Sequence, residues 1–213
     1  MLQSSMVSKP PAQPIRLYGF PLSGHAHRVQ LFLSLIGVPF DNILVNLDAG
    51  EHRQPEFLAR NPFGQVPVIE DGELTLTDSN AILVYLAQTY TAEGSWLPAD
   101  PVGAAAVQRW LSVAAGELAF GPALARVIKV FKRPADAAQA IALAERLFQR
   151  METHLAQSRG YFVGAAPSIA DIALYSYTAH APEGDVSLEP YPQIRAWLQR
   201  IEALPGFIAM TRS

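Results

Sequence analysis

The 213-residue chain contains no cysteine. That absence excludes disulfides, thiolate metal centres and a protein cysteine nucleophile. Charge is also sparse. Only 16% of residues are Asp, Glu, Lys or Arg, and 16 basic against 19 acidic residues leave a net charge of -3. Such a balance offers no basic field to attract nucleic acid. No apolar run approaches the roughly 18 residues of a membrane span. The opening segment MLQSSMVSKPPAQP lacks the apolar block of a secretion signal. Its Pro, Ser and Gln content reads as a loose arm. Internal repeats and low-complexity blocks are absent as well. The expectation is a cytoplasmic protein with neither membrane nor nucleic-acid partners.

What the chain does contain is core. Half of its residues are hydrophobic, the composition of a globular rather than a disordered protein. The first half mixes short β-like runs with helical ones. Ile15–Tyr18 and Asp41–Leu47 read as strands around an apolar helix, Arg28–Ile36, stopped by Gly37 and Pro39. A short helix is expected at Pro55–Ala59. Val66–Glu70 and Leu74–Leu76 flank Asp71-Gly72, a hairpin signal. A helix then opens at Asp78 or Ser79, both good N-cap residues.

The second half carries only helical patterns. Ile141, Ala144, Leu147, Phe148, Met151 and Leu155 recur at helical spacing. Ser168 and Asp171 form a capping-box pattern ahead of IADIALYSYTAHA. A last helix spans roughly Gln193–Ala203. The predicted organisation is an arm at 1–14, an α/β domain at 15–95, a linker at 96–101 and an all-α domain at 102–213.

Four stretches could carry chemistry. In GFPLSGHAHRV (19–29), Ser23 stands at a strand-to-helix turn. A serine there either caps the helix or donates its hydroxyl hydrogen to an anion held by the helix N-terminus, lowering a thiol's pKa if that anion is a thiolate. His25 and His27, two apart, do not face each other on a helix and have no third ligand nearby, so they read as partly exposed side chains and no metal is expected. In NPFGQVPVI (61–69), Pro67 follows Val66 at the start of a strand. A cis bond there would turn the Val66 backbone outward, and a trans bond would mark an edge strand. In LTDSNAI, Asp78 and Ser79 either cap a helix or hold the charged end of a ligand. In GEHR (50–53), His52 and Arg53 either offer themselves to a carboxylate or lie in a solvated loop.

Taken in order, SGHAHRVQLFLSLIGVPF, GEHRQPEFLARNPFGQVPVIEDG, LTDSNAILVYLA and PSIADIALY make the chain resemble the cytosolic glutathione S-transferase superfamily, as a serine-type, theta/phi-like bacterial member, from Ile15 almost to its end. The resemblance implies a thioredoxin-like N-terminal domain (α/β), a helical C-terminal domain and a homodimer. It also implies glutathione as cosubstrate with no tightly bound cofactor. Ser23 would hydrogen-bond the glutathione sulfur. Tyr18 falls inside the first strand rather than at the turn. His52, helped by Arg53 and Gln65, would hold the glycine carboxylate. Val66, before a cis-Pro67, would pair with the cysteinyl backbone, and Asp78 and Ser79 would take the γ-glutamyl end. An apolar electrophile would meet Phe20, Leu22, Trp110, Phe120 and Arg126 between the domains. Asp78 stands where the family often has Glu. The implied activity is glutathione transfer of the detoxification type. Glutathione-dependent reduction of disulfides or peroxides on the same site and a non-catalytic binding or assembly module are the alternatives.

Overall fold

The computed structural model describes residues 10–213; most of the expected arm (1–9) lies outside the described residues. It divides into two compact units, one running to Glu93 and completed by Pro205–Thr211, the other comprising Gly94–Leu204 with Arg212 and Ser213. The expected boundaries change accordingly. The break falls just after Glu93, and seven residues from the end of the supposed helical domain return to the α/β unit.

The first unit is built on a four-stranded sheet of order β2-β1-β3-β4. Strand β1 (Ile15–Gly19) pairs parallel with β2 (Phe40–Leu44) and antiparallel with β3 (Val68–Asp71); β4 (Leu74–Thr77) closes the antiparallel edge. Joining two parallel strands needs a crossover, supplied by helix α1 (Gly24–Leu35). Helix α2 (Pro55–Leu58) and helix α3 (Ser79–Tyr90) complete a thioredoxin-like unit. Ile15, Leu17, Val29, Phe32, Leu33, Ile69, Ile82 and Leu86 form its buried interior.

Several boundaries differ from expectation, the third strand among them, which begins at Val68 rather than Val66. Helix α1 begins at Gly24 rather than Arg28, because the Ser23 cap admits a polar first turn that apolar periodicity cannot reveal. Strand β2 ends at Leu44, not Leu47. The hairpin loop is Gly72-Glu73, since Asp71 pairs with Leu74, and Gly72 takes the left-handed φ of 59°.

The second unit consists of α4 (Pro101–Ala115), α5 (Leu124–Val130), α6 (Ala138–Gln157), α7 (Ile169–Ala179) and α8 (Pro192–Glu202). Asp100 caps α4 through the Gly103 amide at 2.8 Å. A π-helical stretch, Ala119–Ala123, lies between α4 and α5. Pro101–Val130 is therefore a 30-residue helical run, long and apolar enough to cross a membrane by length and composition, which corrects the expectation that none exists. Half of its apolar window is buried inside the protein, with Val107, Leu111, Ala114 and Leu118 in the core.

The capping box forms as expected and does more than cap. Asp171, fully buried, accepts hydrogen bonds from the Ser168 amide (2.8 Å) and hydroxyl (2.9 Å), the Phe162 amide (3.0 Å) and Trp197 Nε1 (2.9 Å). One carboxylate thus ties the start of α7 to the preceding loop and to α8. Burial raises its pKa, an effect these four donors oppose.

Candidate functional site

The β1–α1 turn sets Ser23 at the N-cap of α1. Its hydroxyl oxygen accepts from the Ala26 amide (3.3 Å), and its own amide donates to the Phe20 carbonyl (2.9 Å). A hydroxyl that accepts from the helix retains a hydrogen to give. It gives it where the helix dipole favours negative charge. Gly19 is small of necessity, because a Cβ there would come within 3.0 Å of the Ala26 Cβ.

Beside this turn lies the cis Val66-Pro67 peptide. Tyr18 pairs with Val68 in antiparallel register, so continuing that register by two sets Val66 opposite Phe20. Among the described residues, neither the amide nor the carbonyl of Val66 has a hydrogen-bond partner. The preceding loop is folded by buried Asn61, whose Nδ2 donates to the Gln65 carbonyl (2.7 Å) and whose Oδ1 accepts from the Phe63 amide (3.1 Å). Gly64, with a φ of 59°, presses on the His52 backbone, and a Cβ there would lie 3.0 Å from the His52 carbonyl oxygen. That contact joins the Glu51–Arg53 turn to the cis-proline loop. His52 Nδ1 is buried without a partner, whereas Arg53 and Gln65 are exposed.

The third component is the start of α3. Asp78 caps it with Oδ1 accepting from the Asn80 (3.0 Å) and Ala81 (2.9 Å) amides. Its φ of 66° is a conformation few non-glycine residues adopt. These bonds leave the Ser79 amide as the donor at the helix tip. The buried Arg28 side chain reaches this helix start from α1, with Nη1 donating to Ser79 Oγ (3.2 Å) and Asn80 Oδ1 (2.8 Å). Ser79 Oγ lies 3.3 Å from His25 Nδ1. Burial and the adjacent Arg28 charge push His25 down to about 3, so its ring is neutral at pH 7. A neutral ring can accept the Ser79 hydroxyl hydrogen at Nδ1.

His27 departs from the expectation of a partly exposed side chain, whereas half-buried His25 agrees with it. His27 is buried, with Nε2 donating to the Ile208 carbonyl at 3.0 Å, and His25 braces the start of α3. Sequence reasoning also missed Arg28 as the buried link between α1 and α3. An arginine at a helical position among Val29, Leu31 and Phe32 was the available signal. Tyr18 donates to Glu70 (3.0 Å), with the Arg16 and Arg60 guanidiniums over its ring. Burial and Glu70 both raise its pKa, and its hydroxyl is committed away from the turn.

The five expected electrophile contacts divide. Phe20 and Leu22 are half-buried at the turn, and Phe120 is exposed on the helical unit. Trp110 is packed against Phe162 and His154, with ring centroids 4.5 and 4.8 Å away. Arg126 is fully buried and paired with Glu183 at 2.8 Å. The last two have structural work inside the helical unit.

Comparison with known proteins agrees in both halves. Residues 13–88 match the family model for the glutathione S-transferase N-terminal domain, and residues 115–205 match that for the C-terminal domain. Glutathione S-transferase 3 of Zea mays is 36% identical over 206 residues, covering 91% of each chain. Glutathione S-transferase theta-2 of Mus musculus is 30% identical over 90% of this chain and 82% of its own. Among solved structures, a glutathione S-transferase from Pseudomonas fluorescens superposes with a TM-score of 0.87 at 33% identity, over 94% of this chain and 100% of its own. A glutathione transferase homologue from Drosophila mojavensis, solved with bound glutathione, gives 0.82 at 30% identity over 90% and 89%.

Proposed function

Because this chain belongs to the cytosolic glutathione S-transferase superfamily, we propose that it binds glutathione along Ser23, Val66, His52 and Ser79 and directs the thiolate at a small apolar electrophile. The observation that carries the reading is the Ser23 hydroxyl at the tip of α1, its oxygen engaged by Ala26 and its hydrogen available. A free thiol titrates near ~8.5, so a fall of about one to two units makes the thiolate a major species at neutral pH. Ser23 donates to the sulfur, and the unbonded Val66 backbone pairs with the cysteinyl amide and carbonyl. The Ser79 amide, with Asp78, receives the γ-glutamyl group, and His52 Nδ1, assisted by Arg53 and Gln65, receives the glycine carboxylate. The nucleophile belongs to the cosubstrate, so the protein needs no cysteine. Phe20 and Leu22 offer apolar surface to the electrophile. The enzyme works as a homodimer in the cytoplasm.

The test is a panel of aryl halides, hydroperoxides and small disulfides with glutathione, run on wild type and Ser23→Ala. Conjugation of the aryl halides is expected, with turnover falling at least about tenfold in the variant, roughly 1.4 kcal/mol of transition-state stabilisation. Glutathione affinity should change less than about threefold. Activity confined to peroxides or disulfides would assign reduction instead. Silence with no calorimetric glutathione binding would assign a non-catalytic module.

A further inference from the structure

The segment 51–60, which carries His52 and Arg53, packs on the sheet through buried Phe57, in one apolar cluster with Tyr18, Val45 and Val68. Arg60, two residues past the end of α2, adds a polar anchor. Its guanidinium carbon stands 4.9 Å from the centre of the Tyr18 ring, and its Nε donates to Glu70 Oε1 at 2.9 Å. Its Nη1 donates back to the Glu56 carbonyl at 2.9 Å, so one side chain is tied both to α2 and to β3. Glu70 is the shared acceptor, since Arg16 Nη1 (2.7 Å) and the Tyr18 hydroxyl (3.0 Å) both donate to its Oε2. Hydrogen bonds from a guanidinium to a carboxylate are among the stronger ones. Among the described residues, Arg60 to Glu70 is the one side-chain hydrogen bond that joins 51–65 to a strand.

This anchor bears on one end of the ligand site. Arg60 directly precedes Asn61, which folds the loop that ends in Gln65, and Gly64 of that loop presses on the His52 carbonyl. His52 therefore sits between α2 on one side and a loop that starts at Arg60 on the other. Ser23 at α1, and Asp78 and Ser79 at α3, belong to elements that Arg60 does not bond. The Arg60 side chain is 35% exposed, and an ion pair so solvated adds little to global stability. Its effect is local. Resting on the glutathione reading above, we infer that Arg60 and Glu70 are positioning residues that set selectivity for the glycine end of the ligand. The anchor holds His52 and Arg53 where the glycine carboxylate meets them, whereas the sulfur and γ-glutamyl contacts stand on α1 and α3. Releasing it lets 51–60 open around Phe57 and removes the glycine contact first. A ligand that lacks glycine, γ-glutamylcysteine, is therefore the discriminating probe.

The experiment compares full-length wild type with Arg60→Met, Arg60→Lys and Glu70→Gln by calorimetry and amide hydrogen exchange. Methionine keeps an unbranched chain on the Tyr18 ring and leaves Glu70 paired with Arg16 and Tyr18, so no buried charge is orphaned. Wild type should bind glutathione at least about tenfold more tightly than γ-glutamylcysteine. In Arg60→Met the glutathione Kd should rise about five- to tenfold, and that of γ-glutamylcysteine less than about twofold. Arg60→Lys, which keeps the charge, should recover about half of the loss. Glu70→Gln should reproduce Arg60→Met, and the double variant should be no worse than either alone. Exchange in 51–60 should quicken at least about tenfold in Arg60→Met while that of β1 and α1 is unchanged. The inference is overturned if wild type does not distinguish the two ligands, or if Arg60→Met weakens both equally or neither. It is also overturned if exchange in 51–60 stays slow or quickens throughout the unit. A wild-type chain that binds neither ligand removes the glutathione reading, and the exchange comparison then decides the anchor by itself.

Discussion

At the scale of single residues, hydrogen-bond capacity separates the candidates. Ser23 and Tyr18 are both hydroxyls near the end of β1, but Tyr18 gives its hydrogen to Glu70 and Ser23 does not. Replacing Tyr18 by Phe should therefore leave conjugating turnover within about threefold of wild type, against the tenfold or greater loss for Ser23→Ala. His25 makes a second prediction. Its folded pKa is lowered to about 3 from an ordinary 6.5, so the unfolded chain binds the extra proton first as pH falls. The stability from its neutral form is complete above about pH 6.5 and declines below it, by at most about 1.4 kcal/mol per pH unit. Urea unfolding at pH 7 and pH 5 measures this. The difference between the two should shrink in His25→Gln.

At the scale of elements, close approaches and shared carboxylates decide which segments meet. Asp171 is the acceptor for α7, α8 and the loop at Phe162. Asp171→Ala strands four buried donors and should cost about 3–5 kcal/mol of stability, read as a lower urea midpoint. The C-terminal segment depends on a different device. Gly206 has a φ of 86°, and a Cβ there would lie 2.7 Å from the Ser34 carbonyl oxygen. Ser34 Oγ also donates to the Gly206 carbonyl at 2.6 Å. Gly206→Ala should destabilise the protein by about 1–3 kcal/mol and loosen the segment that carries Met210. Hydrogen exchange at Ile208–Met210 would register that loosening.

For the whole molecule, the first unit is discontinuous in sequence: its last seven residues follow a helical unit of more than a hundred. Its surface also carries Phe63, 81% exposed, and Leu74, 40% exposed. Apolar groups so exposed fit the proposed homodimer. Light scattering should return twice the chain mass of 23.2 kDa. Phe63→Ser should shift that equilibrium toward monomer if this face is the interface, and an unchanged dimer would place the interface elsewhere.

The order of strands and helices, the helical second half and the capping box were legible in the sequence. Each rests on local information: apolar periodicity, turn residues and helix caps act over a few residues. The same locality explains the errors. Nothing within a few residues of His27 indicates that a carbonyl 181 positions later will lie against its ring. The sequence by itself determined which elements form and which residues cap them. Only the tertiary structure decided that Arg28 and His25 brace the start of α3, that Arg126 is spent on Glu183, and that the chain's end returns to the first unit. Those outcomes depend on side chains meeting across long loops, where burial and hydrogen-bond satisfaction, not local propensity, select the partner.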